Sequence, residues 1–208
     1  MRAWPGRFIT FEGGEGSGKS TQAKRLAERL QAEGRKVLLT REPGGTAGAE
    51  QIRSLLVEGE AERWDAWSEA LLVNAARRDH VQRVIAPALA KGVWVICDRF
   101  VHSTLAYQGI VGGLGSGALR ALHAMVLGRM WPDLVLIFDL PAKQGLARAA
   151  ARGGATRFEE RGLAFHEDLR QAFRDLAAAE PACCKLLDAA GTPDGVAARV
   201  RSALTQLP

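Results

Sequence analysis

Nine consecutive residues, Gly13 to Thr21, constrain this chain more than any other part of it. They read GGEGSGKST, and the first eight fit the pattern G-x-x-x-x-G-K-[ST]. The preceding stretch, Arg7 to Phe11, is rich in β-prone residues, and the following stretch, Gln22 to Leu30, is apolar at helical spacing. A strand, a glycine-rich loop and a helix in this order predict a loop that binds a polyphosphate.

The residue types of this loop suit phosphate groups. Glycines lack a Cβ, so the backbone can turn tightly and direct N–H groups inward at a helix N-terminus, whose dipole favours anions. Lys19 adds a positive charge for the β- and γ-phosphates, and the Ser20 hydroxyl suits the Mg²⁺ that accompanies a nucleotide. The alternative is a flexible glycine-rich turn, which the flanking strand and helix disfavour. The predicted ATP-binding residues are Gly13, Gly14, Glu15, Gly16, Ser17, Gly18, Lys19, Ser20 and Thr21.

Composition sets outer limits on the class of protein. A chain of 208 residues with 47% hydrophobic and 25% charged residues fits one sizeable globular domain. The net charge is +5, but the basic residues form neither a long run nor a stripe interleaved with aromatics. We therefore expect no nucleic-acid groove.

The cysteines and the lengths of the apolar runs indicate the cellular compartment of the protein. Three cysteines, two of them adjacent in sequence, provide no disulfide framework, which indicates a reducing compartment. No run approaches the roughly 20 apolar residues of a membrane span, and the first residues lack an apolar stretch of signal-peptide length. We expect a cytoplasmic protein that does not partner a membrane.

Further short apolar runs predict a parallel sheet. Helical patterns separate them, and strands rich in Val, Leu and Ile without strict alternation are typical of an α/β sheet covered on both faces. The four runs are Val37–Thr40, Val93–Cys97, Leu134–Phe138 and Lys185–Leu187. With the strand before the glycine-rich loop they predict five parallel strands flanked by helices. Ligands in such sheets bind at the carboxyl ends of the strands.

Four segments in register resemble the thymidylate kinase family. The segment from Asp98 to Gly109, DRFVHSTLAYQG, resembles the signature of that family, and TREPGGT at Thr40 to Thr46 matches it too. Like the phosphate loop, the stretches Ala70–Val81 and Arg148–Glu159 match the same family, and all these motifs occur in the order that the family has. The resemblance covers essentially the whole chain. It implies a three-layer P-loop kinase fold, a single domain over residues 1–208 with a lid at about 143–165, and a homodimer.

The resemblance also implies a reaction, the phosphorylation of dTMP to dTDP by Mg-ATP. The residue types favour this reaction independently, because a monophosphate acceptor is already largely ionised at neutral pH. Catalysis then consists mainly of neutralising and aligning two anions, a task for arginine and lysine. Cations for it are present at Lys19, Arg41, Arg99, Arg148, Arg152, Arg157 and Arg161.

The resemblance also implies a role for each of several residues. Arg99 would hold the acceptor phosphate with Arg41 nearby, and Asp98 would orient a magnesium-bound water beside Ser20, which makes Ser20 and Asp98 the metal site. Glu15 would bind the deoxyribose 3′-hydroxyl. Arg77 and Thr104 would bind thymine, and Tyr107 would fill the space of a 2′-hydroxyl. The implied substrate site comprises Glu15, Arg41, Pro43, Val73, Arg77, Arg99, Ser103, Thr104, Tyr107 and Gln108.

Two positions distinguish this chain within the family pattern: the place of the catalytic arginine and the residue at Val73. The phosphate loop contains no arginine, so the chain resembles the bacterial type that places this charge in the lid. The implied catalytic residues are Lys19, Asp98, Arg99, Arg152 and Arg157. Val73 stands where the family usually has an aromatic that stacks on thymine, which implies a modest rise in KM.

Three alternatives remain at this stage. Another nucleoside monophosphate kinase would share the phosphate loop, although the segment from Asp98 to Gly109 argues against it. A phosphate-loop switch module would need no small acceptor, but no guanine-binding NKxD follows the fourth strand, where the chain reads DLPAK from Asp139 to Lys143. An inactive nucleotide-binding scaffold is disfavoured by Lys19, Ser20 and Asp98.

Overall fold

The computed structural model describes residues 4–60, 62–128, 130–153, 156–205 and 207. Its strands form one parallel sheet in the order β2-β3-β1-β4-β5. They are β1 (Phe8–Gly13), β2 (Val37–Arg41), β3 (Trp94–Asp98), β4 (Leu134–Asp139) and β5 (Cys184–Asp188). The prediction of a five-stranded parallel sheet is confirmed.

Helices connect the strands and cover both faces of the sheet. They are α1 (Lys19–Ala32), α2 (Ala47–Val57), α3 (Ala66–His80), α4 (Ala86–Ala90), α5 (Val101–Thr104), α6 (Ser116–Leu127), α7 (Ala142–Arg152), α8 (Leu163–Ala179) and α9 (Pro193–Leu204). Two π-helical segments, Val81–Ile85 and Leu105–Val111, continue α3 and α5. No helix among the described residues is long and apolar enough to cross a membrane.

The central strand β1 divides the core between the two faces. Because side chains alternate along a strand, Phe8 joins one apolar cluster, while Ile9 and Phe11 join the other. Phe8 packs edge-on against Phe100 with ring centroids 4.8 Å apart. Phe11 stacks on Phe138 at 5.5 Å. Each buried phenylalanine contributes about 1.5–3 kcal/mol to folding, so β1 is anchored on both sides.

This burial fixes the position of the phosphate loop. The loop leaves β1 at Gly13 and enters α1 at Lys19, at the carboxyl edge of the sheet. Gly16 has a φ of +62°, and a Cβ on it would lie 1.9 Å from the carbonyl oxygen of Gly145 in α7. Any larger residue would therefore collide with α7, and glycine is required at this close approach.

Candidate active site

The phosphate loop folds around the side chain of Lys19. Its Nζ donates to the carbonyl of Gly14 at 2.6 Å and lies 3.3 Å from Ser17 Oγ. Burial disfavours the charged amine, and with the positive charge of Arg99 nearby it lowers the pKa of Lys19 to about 8. An anion bound at the loop would favour the charged form of this lysine.

Ser20 and Asp98 meet because β1 and β3 are neighbours in the sheet. The Ser20 hydroxyl donates to Asp98 Oδ2 across the ends of the two strands. A hydroxyl and a carboxylate are hard oxygen donors of the kind that Mg²⁺ prefers in proteins. The structure thus brings together the two residues that were predicted from the sequence to form a metal site.

Arg99 lies at the centre of the site in an unusual backbone conformation. Its φ is +69°, a left-handed conformation that costs a residue other than glycine about 1–3 kcal/mol. The guanidinium donates to the carbonyl of Gly13 at 3.0 Å, to Ser103 Oγ at 3.1 Å and to Glu15 Oε1 at 2.8 Å. Burial opposes its charge, but Glu15, Tyr107, Asp98 and Glu12 together outweigh that effect and raise the pKa of Arg99.

Behind this loop lies a carboxylate that the sequence analysis missed. Glu12 is completely buried, and it accepts hydrogen bonds from the Phe100 amide at 2.8 Å and from Ser103 Oγ at 2.5 Å. These bonds hold the turn that carries Arg99. Burial raises the pKa of Glu12 above its usual value. Its position between the β-prone stretch and the glycine-rich loop offered no signal of this role.

Glu15 connects the phosphate loop to the segment after β3. Its Oε1 accepts from Arg99 and, at 2.6 Å, from the Tyr107 hydroxyl. Burial alone would raise the pKa of Glu15, but Arg99, Lys19 and the Tyr107 hydroxyl together lower it to about 2. The carboxylate is therefore ionised at neutral pH.

A cavity of about 120 Å³ opens beside this carboxylate, and we call it the inner cavity. Of the predicted substrate-site residues, its lining includes Glu15, Pro43, Val73, Arg77, Arg99, Ser103, Thr104, Tyr107 and Gln108. The lining also contains residues that were not predicted, namely Glu42, Arg53, Leu56, Val57, Phe100, Thr156 and Phe158.

Arg77 is fixed in the wall of the inner cavity. Only 2% of it is exposed, and Nε donates to Glu42 Oε2 at 2.6 Å. Nη1 donates to Thr104 Oγ1 at 3.0 Å and Nη2 to the carbonyl of Phe100 at 2.9 Å. Arg78, the adjacent arginine, instead donates to the carbonyl of Val126. The possibility that Arg77 is a solvated helix residue is thus excluded.

A second, larger opening of about 810 Å³ runs along the phosphate loop, and we call it the outer cleft. Its lining includes the loop residues Glu15, Gly16, Ser17, Gly18, Lys19, Ser20 and Thr21. It also includes Arg41, Arg53, Asp98, Arg99, Arg148 and Arg152. Gly13 and Gly14 contribute backbone carbonyls that accept from Arg99 and Lys19. Glu15, Glu42, Arg53, Arg99 and Thr156 line both openings, which therefore adjoin.

Arg41 and the turn after β2 form the outer rim of this cleft. The Arg41 guanidinium donates to both carboxylate oxygens of Glu50 at 3.1 Å. Arg53 donates to the carbonyl of Pro43 at 2.9 Å, and the peptide bond between Glu42 and Pro43 is cis. Arg53, on α2, adds a cation between the two openings that the sequence analysis did not identify.

The two predicted lid arginines occupy different environments. Arg152 lines the outer cleft, its side chain is 60% exposed, and it donates to Glu159 Oε1 at 2.7 Å. Arg157 is 1% exposed and donates to the carbonyl of Leu56 at 2.6 Å and to Glu69. The structure brings Arg152 to the phosphate loop and holds Arg157 at the side of the inner cavity.

Glu69, on α3, was not predicted from the sequence, and it binds side chains from two other segments of the chain. Besides Arg157, it accepts from Gln108 Nε2 at 2.8 Å, and Arg161 lies 3.5 Å away. The Arg157 guanidinium also lies over the ring of Phe158, 4.8 Å from its centroid. Glu69 thereby holds the arginine that packs on Phe158, an aromatic in the lining of the inner cavity.

Comparison with known proteins agrees with this geometry. The family model for thymidylate kinase matches residues 11–200. Thymidylate kinase of Caulobacter vibrioides is 55% identical over 201 residues, 97% of each chain. That of Rhizorhabdus wittichii is 53% identical over 205 residues, 98% of this chain and 99% of the relative.

A solved structure extends the match to three dimensions. The crystal structure of thymidylate kinase from Ehrlichia chaffeensis superimposes with a TM-score of 0.77 and 34% identity, covering 96% of this chain and 98% of that chain. The sequence match, the shared fold and the match of the family model over most of the chain agree. This chain belongs to the thymidylate kinase family.

Proposed function

We propose that this chain phosphorylates dTMP to dTDP by in-line transfer of the γ-phosphoryl group of ATP. The observation that carries the proposal is the junction of the outer cleft and the inner cavity at Arg99 and Glu15. A nucleotide on the phosphate loop would present its terminal phosphate at this junction. An acceptor in the inner cavity would present its own phosphate to the same arginine.

In the donor half, the loop amides and Lys19 would hold the phosphates of ATP. Ser20 and Asp98 would hold Mg²⁺, which when bound supplies charge for the β- and γ-phosphates. On the far side the outer cleft is lined by Ala189, Gly191 and Pro193, where adenine would pack. Lys19 places its positive charge on the oxygens of the donor before transfer.

In the acceptor half, Arg99 would bind the monophosphate, with Arg41 and Arg53 at the rim. A guanidinium suits this task because its planar donors match phosphate oxygens. Arg77 and Thr104 would bind the thymine edge deep in the inner cavity. Tyr107 and Glu15 would lie beside the sugar, where the ionised carboxylate accepts a hydrogen bond from the 3′-hydroxyl.

Arg152 would supply the remaining charge for the transferred phosphoryl group. An arginine in this role can contribute about 10³ to 10⁵ in rate. Its exposure in the outer cleft supports the assignment, whereas Arg157 is tied to Glu69. We propose a single domain over residues 1–208 in which the segment at about 143–165 acts as the lid.

We also propose a cytoplasmic homodimer. All three cysteines are free thiols, in keeping with a reducing compartment. Helices α3 and α6 pack side by side, and each carries exposed apolar side chains on its outer surface. These are Trp67, Leu71 and Met125, of which Met125 is 83% exposed. Exposed apolar side chains on neighbouring helices favour burial against a second copy.

A panel of acceptors tests the proposed activity. Purified protein is given Mg-ATP and, separately, thymidine, deoxyuridine, cytidine, adenosine and guanosine monophosphates, and diphosphate formation is measured. We expect dTMP to be the best substrate. The loss of one methyl contact should lower kcat/KM for dUMP by about 10- to 200-fold. Equal rates with dTMP and dUMP would overturn the thymine assignment.

A further inference from the structure

Four side chains that the proposed reaction does not use lie together behind the turn that carries Arg99. His102 belongs to α5, and Glu180 follows the last residue of α8. Cys183 precedes β5, and Cys184 is the first residue of that strand. His102 is fully buried and Cys184 is 3% exposed. The Glu180 side chain is 18% exposed, so the group can be reached from solvent on one side.

Three of these side chains, His102, Glu180 and Cys184, each place a ligand atom within 4.8 Å of the other two, close enough to hold one metal ion. His102 Nε2 lies 3.4 Å from Glu180 Oε2 and 3.5 Å from Cys184 Sγ. Cys183 Sγ lies 3.6 Å from Glu180 Oε2 and 3.8 Å from Cys184 Sγ. With zinc bonds of about 2.0 Å to nitrogen and oxygen and about 2.3 Å to sulfur, the edges of a tetrahedron measure about 3.3 to 3.8 Å.

The charges around these atoms are also arranged for a divalent cation. Arg120 donates to Glu180 Oε1, which orients the carboxylate and leaves Oε2 directed at the other ligand atoms. Two thiolates, one carboxylate and Arg120 together carry two negative charges, which a divalent cation would neutralise. The backbone carbonyls at the C-terminus of α8 add partial negative charge beside the site. The edge of Trp131 packs against His102, 5.3 Å between ring centroids, and shields one side.

We propose that His102, Glu180 and Cys184 bind one zinc-class divalent cation, with the neighbouring Cys183 turning in as the fourth ligand, at a structural site distinct from the proposed magnesium site. Thiolate and imidazole ligands select zinc or cobalt over Mg²⁺, which prefers oxygen. The bound ion would tie α5 to the end of α8 and the start of β5. Because α5 follows Asp98 and Arg99 directly, the ion would rigidify the base of the proposed active site.

Cobalt provides the direct test, because tetrahedral Co²⁺ with thiolate ligands has intense visible bands and a thiolate-to-cobalt charge-transfer band. Full-length protein without a histidine tag is titrated with Co²⁺ in excess Mg²⁺, and then with Zn²⁺. We expect one Co²⁺ per chain, a tetrahedral thiolate spectrum, displacement by Zn²⁺, and a higher Tm with Zn²⁺. A folded protein that gives no charge-transfer band, or a weak octahedral spectrum, would overturn the proposal.

Variants assign the site to its residues. Cys184→Ser and Glu180→Gln should each weaken Co²⁺ binding by at least about tenfold. Cys97→Ser changes the one cysteine outside the cluster and should bind Co²⁺ like the original protein. If Cys184→Ser fails to fold, the partly exposed Cys183→Ser gives the same test through loss of charge-transfer intensity. Unchanged spectra and affinities in the folded cluster variants would contradict the site. None of these readouts depends on kinase activity.

Discussion

Tyr107 donates its hydroxyl to Glu15 over 2.6 Å, and this bond joins the π-helical segment after β3 to the phosphate loop after β1. The same carboxylate oxygen accepts from Arg99. The proposed donor and acceptor sites are thus connected through one partly buried carboxylate. A change on either side of Glu15 is expected to affect the other.

Tyr107→Phe tests this connection because it removes the hydroxyl and keeps the ring. A hydrogen bond to a charged group contributes about 1.5–3 kcal/mol, so we expect kcat/KM for dTMP to decrease by about 10- to 100-fold. Steady-state kinetics with ATP in excess measure the effect, and the Tm serves as the folding control. A kcat/KM within twofold of the original protein would contradict the role of this bond.

The two lid arginines should respond differently to substitution. Arg152→Ala removes an exposed residue whose ion pair contributes under about 1 kcal/mol to stability, so folding should persist while kcat falls by about 10³-fold. Arg157→Ala leaves Glu69 buried without this partner and should destabilise the protein by about 3–5 kcal/mol. Urea unfolding and kcat separate the two effects. Normal kcat in Arg152→Ala would remove this residue from the proposed mechanism.

Val73→Phe tests the absent aromatic in the inner cavity. An added ring that stacks on thymine should contribute about 0.5–1.5 kcal/mol, which lowers KM for dTMP by about 2- to 12-fold. Val73→Leu is the matched control, since it adds volume without a ring, and KM for ATP should stay constant in both. A higher KM for dTMP in Val73→Phe would contradict the predicted stacking and would show that the inner cavity has no room for a second ring beside Phe158.

Proton uptake should accompany ATP binding at alkaline pH. Lys19 has a pKa of about 8, and phosphate oxygens favour its charged form, so binding raises this pKa and takes up a proton. Uptake per ATP bound should therefore increase from pH 7.5 to pH 8.5. Calorimetry in buffers of different ionisation enthalpy measures it. Lys19→Met should abolish the increase, and equal uptake at both pH values in the original protein would contradict the assignment.

The oligomeric state can be measured directly. Light scattering on a size-exclusion column should give twice the chain mass of 22.4 kDa. Met125→Asp places a charge on the outer surface of α6 and should yield the monomer. An exposed position outside α3 and α6, changed in Lys24→Asp, provides the control. A monomeric original protein would exclude the proposed homodimer.

The sequence predicted the sheet well because each strand is a short apolar run with turn residues after it. The observed bounds of β2 and β4, for example, extend the predicted runs by one residue, to Arg41 and Asp139. The phosphate loop could be located for a similar reason. Its glycines, lysine and serine lie within a few consecutive residues, so their spacing in the sequence is enough to identify the loop. The π-helical segments escaped prediction, since their apolar periodicity resembles that of an α-helix.

The sequence could not distinguish between similar residues whose burial depends on partners far away in the chain. Arg77 and Arg78 are adjacent on one helix, and Glu42, 35 residues away, determines which of them is buried. Arg152 and Arg157 look equivalent in the lid, but Glu69 binds Arg157 across 88 positions. Such choices follow from long-range ion pairs, for which neither spacing nor composition gives a signal.

The proposed reaction moves the γ-phosphoryl group from ATP on the phosphate loop to dTMP in the adjoining cavity. Its most direct test is a chromatographic count of both products, ADP and dTDP, after incubation with Mg-ATP and dTMP. We predict equal amounts of the two, no product without dTMP, and neither product with Lys19→Met. ADP released without dTDP would instead indicate an ATP-driven switch and would contradict the account.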